Sequence, residues 1–169
     1  MTITLRSEQP GDIEAIDRLT RAAFLEAPHT DHTEHLIVAA LRDAGALTLS
    51  LVAEEDGRLV GQVAISPVTL SDGTGHWYGL GPISLWPERQ GQGIGAHLMR
   101  RVLAELEALG ASGCVVLGDP GYYGRFGFAP VAGLTLPGVP PAYFQALAFA
   151  GPFPRGEVSY HPGFAAGTE

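Results

Sequence analysis

The sequence predicts a mixed α/β fold with one domain over residues 1–169, and three observations carry that reading. Strand-like stretches in the middle of the chain are separated by Asp-Gly pairs. A strong amphipathic helix follows a glycine-rich loop, and a short apolar run follows that helix. Strands joined by two-residue turns pair antiparallel, whereas strands on either side of a helix pair parallel. A sheet containing both kinds of pairing is therefore expected. With 46% apolar and 17% charged residues, a chain of 169 can bury a full core.

The elements follow in order. Thr2 to Arg6 alternates and reads as an opening strand. Pro10 suits a first helical turn, and Ile13, Ile16, Leu19 and Ala23 follow at helical spacing. Asp31-His32-Thr33-Glu34 has the pattern of a capping box, with apolar residues through Leu41 and Gly45 as the stop. Residues 47–55 and 58–70 are strand-like and are joined by Asp56-Gly57, a pair that favours a type I′ hairpin. Asp72-Gly73 makes another turn, and His76 to Leu85 is the next strand. Gly79, Gly81 and Pro82 predict a bulge in it, because proline cannot donate to a ladder.

The next helix carries Ile94, Leu98, Val102, Leu106 and Leu109 on one face and ends at Gly110 and Gly113. Cys114-Val115-Val116-Leu117 follows as a short buried strand, parallel to the strand at 76–85. Beyond it the chain reads as a turn at 118–124, a strand near 126–132, a proline-rich loop at 137–141, a short helix and a final strand near Val158.

Composition excludes several classes. The net charge is −8, from 18 acidic and 10 basic residues, and every basic residue is arginine. An acidic chain without a basic stripe is a poor nucleic-acid binder, since phosphate neutralisation dominates that affinity. Its longest apolar run, Leu36 to Leu41, is far short of the ~20 residues that span a bilayer. No basic region followed by an apolar stretch opens the sequence, so the cytoplasm is the default location. The single cysteine, Cys114, excludes an intrachain disulfide and a cysteine-rich zinc site.

The most informative segment is Trp86-Pro87-Glu88-Arg89-Gln90-Gly91-Gln92-Gly93-Ile94-Gly95-Ala96. Glycines ahead of a helix expose several backbone N–H groups, and the helix end adds partial positive charge. Together they make a diphosphate cradle that needs no cationic side chain. A Walker loop is excluded, because no Gly-Lys-Ser/Thr follows. Gly91, Gly93 and Ala96 also satisfy a dinucleotide-binding pattern, with Asp119 after the next strand. Against that alternative, a polar Pro-Glu-Arg-Gln segment separates strand from loop, and antiparallel hairpins precede it.

On these residues the sequence resembles the GNAT superfamily of N-acetyltransferases. The acyl-coenzyme A signature Gln/Arg-x-x-Gly-x-Gly/Ala is matched by Gln90-Gly91-Gln92-Gly93-Ile94-Gly95. The Tyr-x-x-x-Gly-Phe block is matched by Tyr123-Gly124-Arg125-Phe126-Gly127-Phe128. The resemblance covers most of the chain and implies a central mixed sheet of six or seven strands with about four helices. Two central parallel strands would splay to form an acyl-coenzyme A cleft. By the same resemblance, the backbone of Gln90, Gly91, Gln92, Gly93, Ile94, Gly95 and Ala96 would hold the pyrophosphate. Ile83, Ser84 and Leu85 would pair with the pantetheine arm as an added strand does. Tyr123 would protonate the leaving thiolate, with Tyr122 as the alternative. Where many relatives carry asparagine ahead of this block, Gly118-Asp119-Pro120 stands here.

The activity so implied is acetyl transfer from acetyl-coenzyme A to a primary amine of a small molecule or peptide, by direct attack. No metal is implied, and a homodimer is an option. The rivals are a non-catalytic acyl-coenzyme A-binding module and an NAD or nucleotide enzyme. Glu54, Glu55, His76 and Glu88 lie near strand ends as candidate bases, and each also reads as solvated surface charge. Cys114, inside an apolar run with no basic neighbour, reads as a core residue rather than a nucleophile. His29, His32 and His35 beside Asp31 and Glu34 suggest a metal site, although only His32 and His35 share a helical face.

Overall fold

The computed structural model describes residues 2–27 and 30–167. Strand β1 (Thr4–Ser7) leads through a 3₁₀ turn at Pro10–Asp12 into α1 (Ile13–Phe24), and α2 (Glu34–Asp43) follows. Three antiparallel strands come next: β2 (Leu49–Glu55), β3 (Arg58–Leu70) and β4 (Trp77–Leu85). The Asp56-Gly57 turn has φ of 51° and 79°, the double positive φ that a type I′ turn requires. Helix α3 (Ile94–Ala108) then crosses over to β5 (Gly113–Leu117), which pairs parallel with β4.

The tail holds α4 (Pro120–Tyr123), β6 (Leu134–Thr135), β7 (Phe144–Ala148) and β8 (Gly156–Tyr160). The main strand order is β1-β2-β3-β4-β5-β7; β8 pairs with the far end of β3, and β6 pairs with β8. The sheet therefore has eight strands, more than the expected six or seven, because the tail contributes three short ones.

Three local expectations are corrected. The strand near 126–132 does not form: it is reduced to one bridge between Ala129 and Ala146, because a 3₁₀ turn at Gly124–Phe126 precedes it and the chain turns away after it, the Leu134 N–H donating to the Val131 carbonyl at 3.2 Å. The short helix beyond the proline-rich loop is a 3₁₀ turn at Pro141–Tyr143, after which β7 fills the open edge of β5. Alternation explains the strand: Phe144 and Ala146 enter one core, while Leu147 packs on the other. The capping box is not made either. Thr33 sits at the N-cap without a side-chain bond, and the Glu34 carboxylate accepts from the Thr30 hydroxyl instead.

Burial divides by face. Leu98, Met99, Val102 and Leu106 of α3 pack on Leu51, Val63, Ile65, Leu80 and Val116. On the other face Ile16 and Val38 of α1 and α2 cover Val52 and Leu59. Trp77, Val115, Phe144 and Val158 form a further cluster under the C-terminal strands. Among the described residues, no helix is long and apolar enough to cross a membrane.

Candidate active site

The site begins at a break in the sheet. β4 pairs with β5 from Trp77 to Leu80 and no further, whereas its pairing with β3 continues to Leu85. At the break the register on β3 shifts between Val63 and Ile65, so that Gly81 and Pro82 oppose Ala64 alone. This is the bulge that the proline predicts. Past it, the β4 edge that faced β5 has no strand partner through Leu85, and a cleft opens between the two strands.

The cleft leads to the glycine loop. Gly91 and Gly93 have φ of 76° and 85°, which side chains rarely adopt, and a Cβ on either would meet nothing within 4 Å. Both glycines therefore present bare backbone to open space. Gly93 is the N-cap of α3 and makes no side-chain cap bond. That helix end, with its orphan N–H groups, borders a cavity of about 470 Å³. Ile83, Leu85, Gln90, Gly91, Gly93, Gly95 and Ala96 line it, together with Tyr122, Arg125 and the end of α1 at Ala23, Phe24 and Ala27.

Three residues expected at the site turn their side chains elsewhere. Ser84 is 2% exposed and, opposite Gln62 on β3, alternates away from Ile83 and Leu85. Ile94 is buried in the α3 core, and Gln92 bonds to Arg89 and to the Glu88 carbonyl. What these three can offer a ligand in the cleft is backbone.

Two adjacent tyrosines, Tyr122 and Tyr123, stand edge-on with ring centroids 5.0 Å apart, and of the two it is Tyr122 that lines the cavity. The Tyr122 hydroxyl lies 3.0 Å from where a Gly95 Cβ would stand, beside the glycine loop. Tyr123 turns the other way, its ring against Gly118 just past β5, edge-on to Phe128. Gly118 is tied at both backbone groups: its N–H donates to the Tyr143 carbonyl at 2.9 Å, and its carbonyl accepts from Gln145 Nε2 at 3.1 Å. Asp119 caps α4, accepting from the Gly121 N–H at 3.0 Å. Burial, and secondarily Tyr122, pushes the Tyr123 hydroxyl up to about 12.

An acetyltransferase (GNAT) domain family matches residues 4–131 of the chain. The chain belongs to the GNAT acetyltransferase family. A GNAT family acetyltransferase from Brucella melitensis, crystallised in complex with acetyl-CoA, is 49% identical; the match covers 96% of this chain and 98% of that one, with a TM-score of 0.87. YhbS from Escherichia coli, crystallised in complex with CoA, is 36% identical over 98% of this chain and 93% of its own, again with a TM-score of 0.87. The same YhbS, named an uncharacterized N-acetyltransferase, aligns at 38% identity over 125 residues, or 73% of this chain and 72% of its own.

The dinucleotide alternative falls with the topology of this GNAT acetyltransferase. Its glycine loop follows a strand with one antiparallel and one parallel neighbour, not a strand of a doubly wound sheet. Asp119 is used as a helix cap. The candidate bases are tied up or outside the cavity. Glu54 accepts from Arg6, Glu55 accepts from Arg89 at 2.6 and 3.3 Å, Glu88 faces Arg58 at 3.7 Å, and His76 is exposed.

Cys114 is fully buried, and burial drives its thiol upward, so thiolate chemistry is suppressed. His29 lies outside the described residues. His32 is exposed with Nε2 at 3.1 Å from the Leu25 carbonyl, and no group of three potential metal ligands is present among the described residues. Sequence reasoning missed Phe24, Arg125 and Gln145. Arg125 stood inside a block already singled out and could have been found. The roles of Phe24 and Gln145 depend on contacts between distant segments.

Proposed function

We propose that this acetyltransferase takes acetyl-CoA in the cleft and transfers the acetyl group to a primary amine of a small molecule or peptide by direct attack. The observation that carries the reading is the run from Gly81 to Leu85, an unpaired strand edge that ends at a bare-backbone helix N-terminus. A linear amide-bearing arm with a diphosphate at one end fits both parts.

The direction of that run supports different roles for the two tyrosines. Leu85 lies 3.4 Å from the Gly95 Cβ position, so the diphosphate end belongs beside Leu85 and Tyr122. The thioester end then lies at the apex, near Gly81 and Gly118, where Tyr123 sits. Gly91 to Ala96 hold the diphosphate through backbone N–H groups, and the backbone of Ile83, Ser84 and Leu85 pairs with the arm. A backbone N–H of β4 near the apex supports the developing oxyanion. Tyr123 remains protonated through neutral pH and delivers its proton to the departing sulfur as the C–N bond forms and the C–S bond breaks. The burial that weakens this acid also raises the basicity of a thiolate beside it, keeping the pair matched. The amine loses its proton to solvent, and the cytoplasm is the proposed setting.

Calorimetry with acetyl-CoA and NAD, followed by an amine panel scored for CoA release, tests the reading. Acetyl-CoA binding, no NAD binding and amine-dependent CoA release are expected. Binding of NAD without acetyl-CoA would overturn the cofactor assignment, and binding without turnover on any amine would favour a non-catalytic module.

A further inference from the structure

The arginines are distributed unevenly. Of the ten, seven reach a carboxylate, whereas Arg100, Arg125 and Arg155 have no ion-pair partner among the described residues. Two of those three converge on one ring. The Arg125 guanidinium carbon lies 5.3 Å from the Phe126 centroid and the Arg100 carbon lies 5.4 Å from it, while Arg125 also stands 4.5 Å over the Tyr122 ring and donates from Nε to the Tyr122 carbonyl at 3.3 Å. In a chain of net charge −8, carboxylates to neutralise such cations are plentiful. Two exposed guanidiniums beside one aromatic ring, neither paired with a carboxylate, make a local positive patch that an anion reaching both would stabilise.

Their position says which anion. Arg125 lines the cofactor cavity and also a second hollow of about 390 Å³, which Arg100 borders. Leu103, Phe126, Leu147 and Phe149 give that hollow an apolar wall suited to a flat heterocycle. Glu107 stands on its rim and makes no ion pair with either arginine. We propose that Arg100 and Arg125 form a subsite for the 3′-phosphate of coenzyme A, with the purine against the apolar wall. The inference rests on the proposed placement of the diphosphate at Gly91 to Ala96. The subsite starts where that cradle ends, because Arg125 borders both. A dianionic phosphate monoester held by two guanidiniums is a strong charge-assisted contact, weakened by salt.

Calorimetry with CoA and with dephospho-CoA, which lacks only the 3′-phosphate, tests it on the wild type, Arg100→Gln and Arg125→Gln. The wild type is expected to bind CoA roughly tenfold more tightly than dephospho-CoA, and the preference should shrink as salt rises. Each variant should lose most of that preference, chiefly by weaker CoA binding, with a melting temperature near that of the wild type. Equal affinity of the wild type for the two ligands overturns this inference and leaves the proposed function standing. So does a variant that weakens both ligands alike, since that places the arginine on a part they share. A wild type that binds neither ligand overturns the proposed function and this inference with it.

Discussion

The Tyr123 ring rests directly on Gly118: a Cβ at residue 118 would stand 2.4 Å from Cε2 of the tyrosine. No other side chain fits beneath the ring, and glycine is used here for close approach rather than for an unusual φ. The contact fixes the direction of the Tyr123 ring, on which the proposed acid role depends.

Tyr123→Phe is therefore expected to lower kcat by roughly 10²–10⁴-fold, the scale of a positioned proton donor. Acetyl-CoA affinity and melting temperature should stay near wild type, because the ring and its seat are kept. Gly118→Ala lifts the ring and should also lower kcat, by about 10-fold or more, with the hydroxyl still present. Steady-state kinetics beside calorimetry reads both variants. An unchanged rate in Tyr123→Phe would pass the acid role to Tyr122 or to water.

The cradle makes a different prediction at Gly93. Gly93→Ala puts a methyl into open space but forces a left-handed residue, costing about 1–2 kcal/mol of stability while much of the cofactor affinity survives. Gly93→Asp is tolerated in that conformation better than most residues, yet it places a carboxylate among the N–H groups meant for a diphosphate. Acetyl-CoA affinity should fall by about two orders of magnitude or more through charge repulsion. Calorimetry paired with thermal melts separates lost binding from lost fold, and undiminished affinity in Gly93→Asp would move the diphosphate elsewhere.

Acid stability should depend on the Glu8–Arg42 pair. Arg42 donates to both Glu8 oxygens, at 2.7 and 2.8 Å, and the Ser50 hydroxyl donates to one of them at 2.6 Å. Burial raises the Glu8 carboxyl, but these bonds outweigh it and hold the group below its ordinary value of 4.5. A carboxylate depressed in the folded state contributes stability that is complete above 4.5 and is lost as pH falls through the folded value. Asp12, held low by Arg6, adds in the same direction. Glu8→Gln should cost about 2 kcal/mol near neutral pH. Its melting temperature should also fall less steeply than wild type below pH 4.5. Parallel acid limbs in the two proteins would remove Glu8 from the account.

What could be read from the sequence was local. Asp56-Gly57 demands two positive φ values, Gly81-Pro82 breaks a ladder, and Gly91-Gln92-Gly93 opens a helix over bare backbone. Each follows from the conformations that a few consecutive residues allow. The mixed pairing of the sheet was legible for the same reason, since short turns and a helical crossover dictate opposite strand directions. The identity of 144–148 as a strand was not legible, because it depends on β5 offering an unpaired edge some thirty residues away. The tertiary structure alone decided that the Tyr123 ring rests on Gly118 while Tyr122 lines the cavity, because a ring's direction depends on the space beside it, and Gly118 supplies that space. It also decided that the end of α1 closes the cavity and that Arg100 on α3 and Arg125 after α4 share one ring. Packing brings such pairs together across the chain, and no periodicity within either segment records the partner.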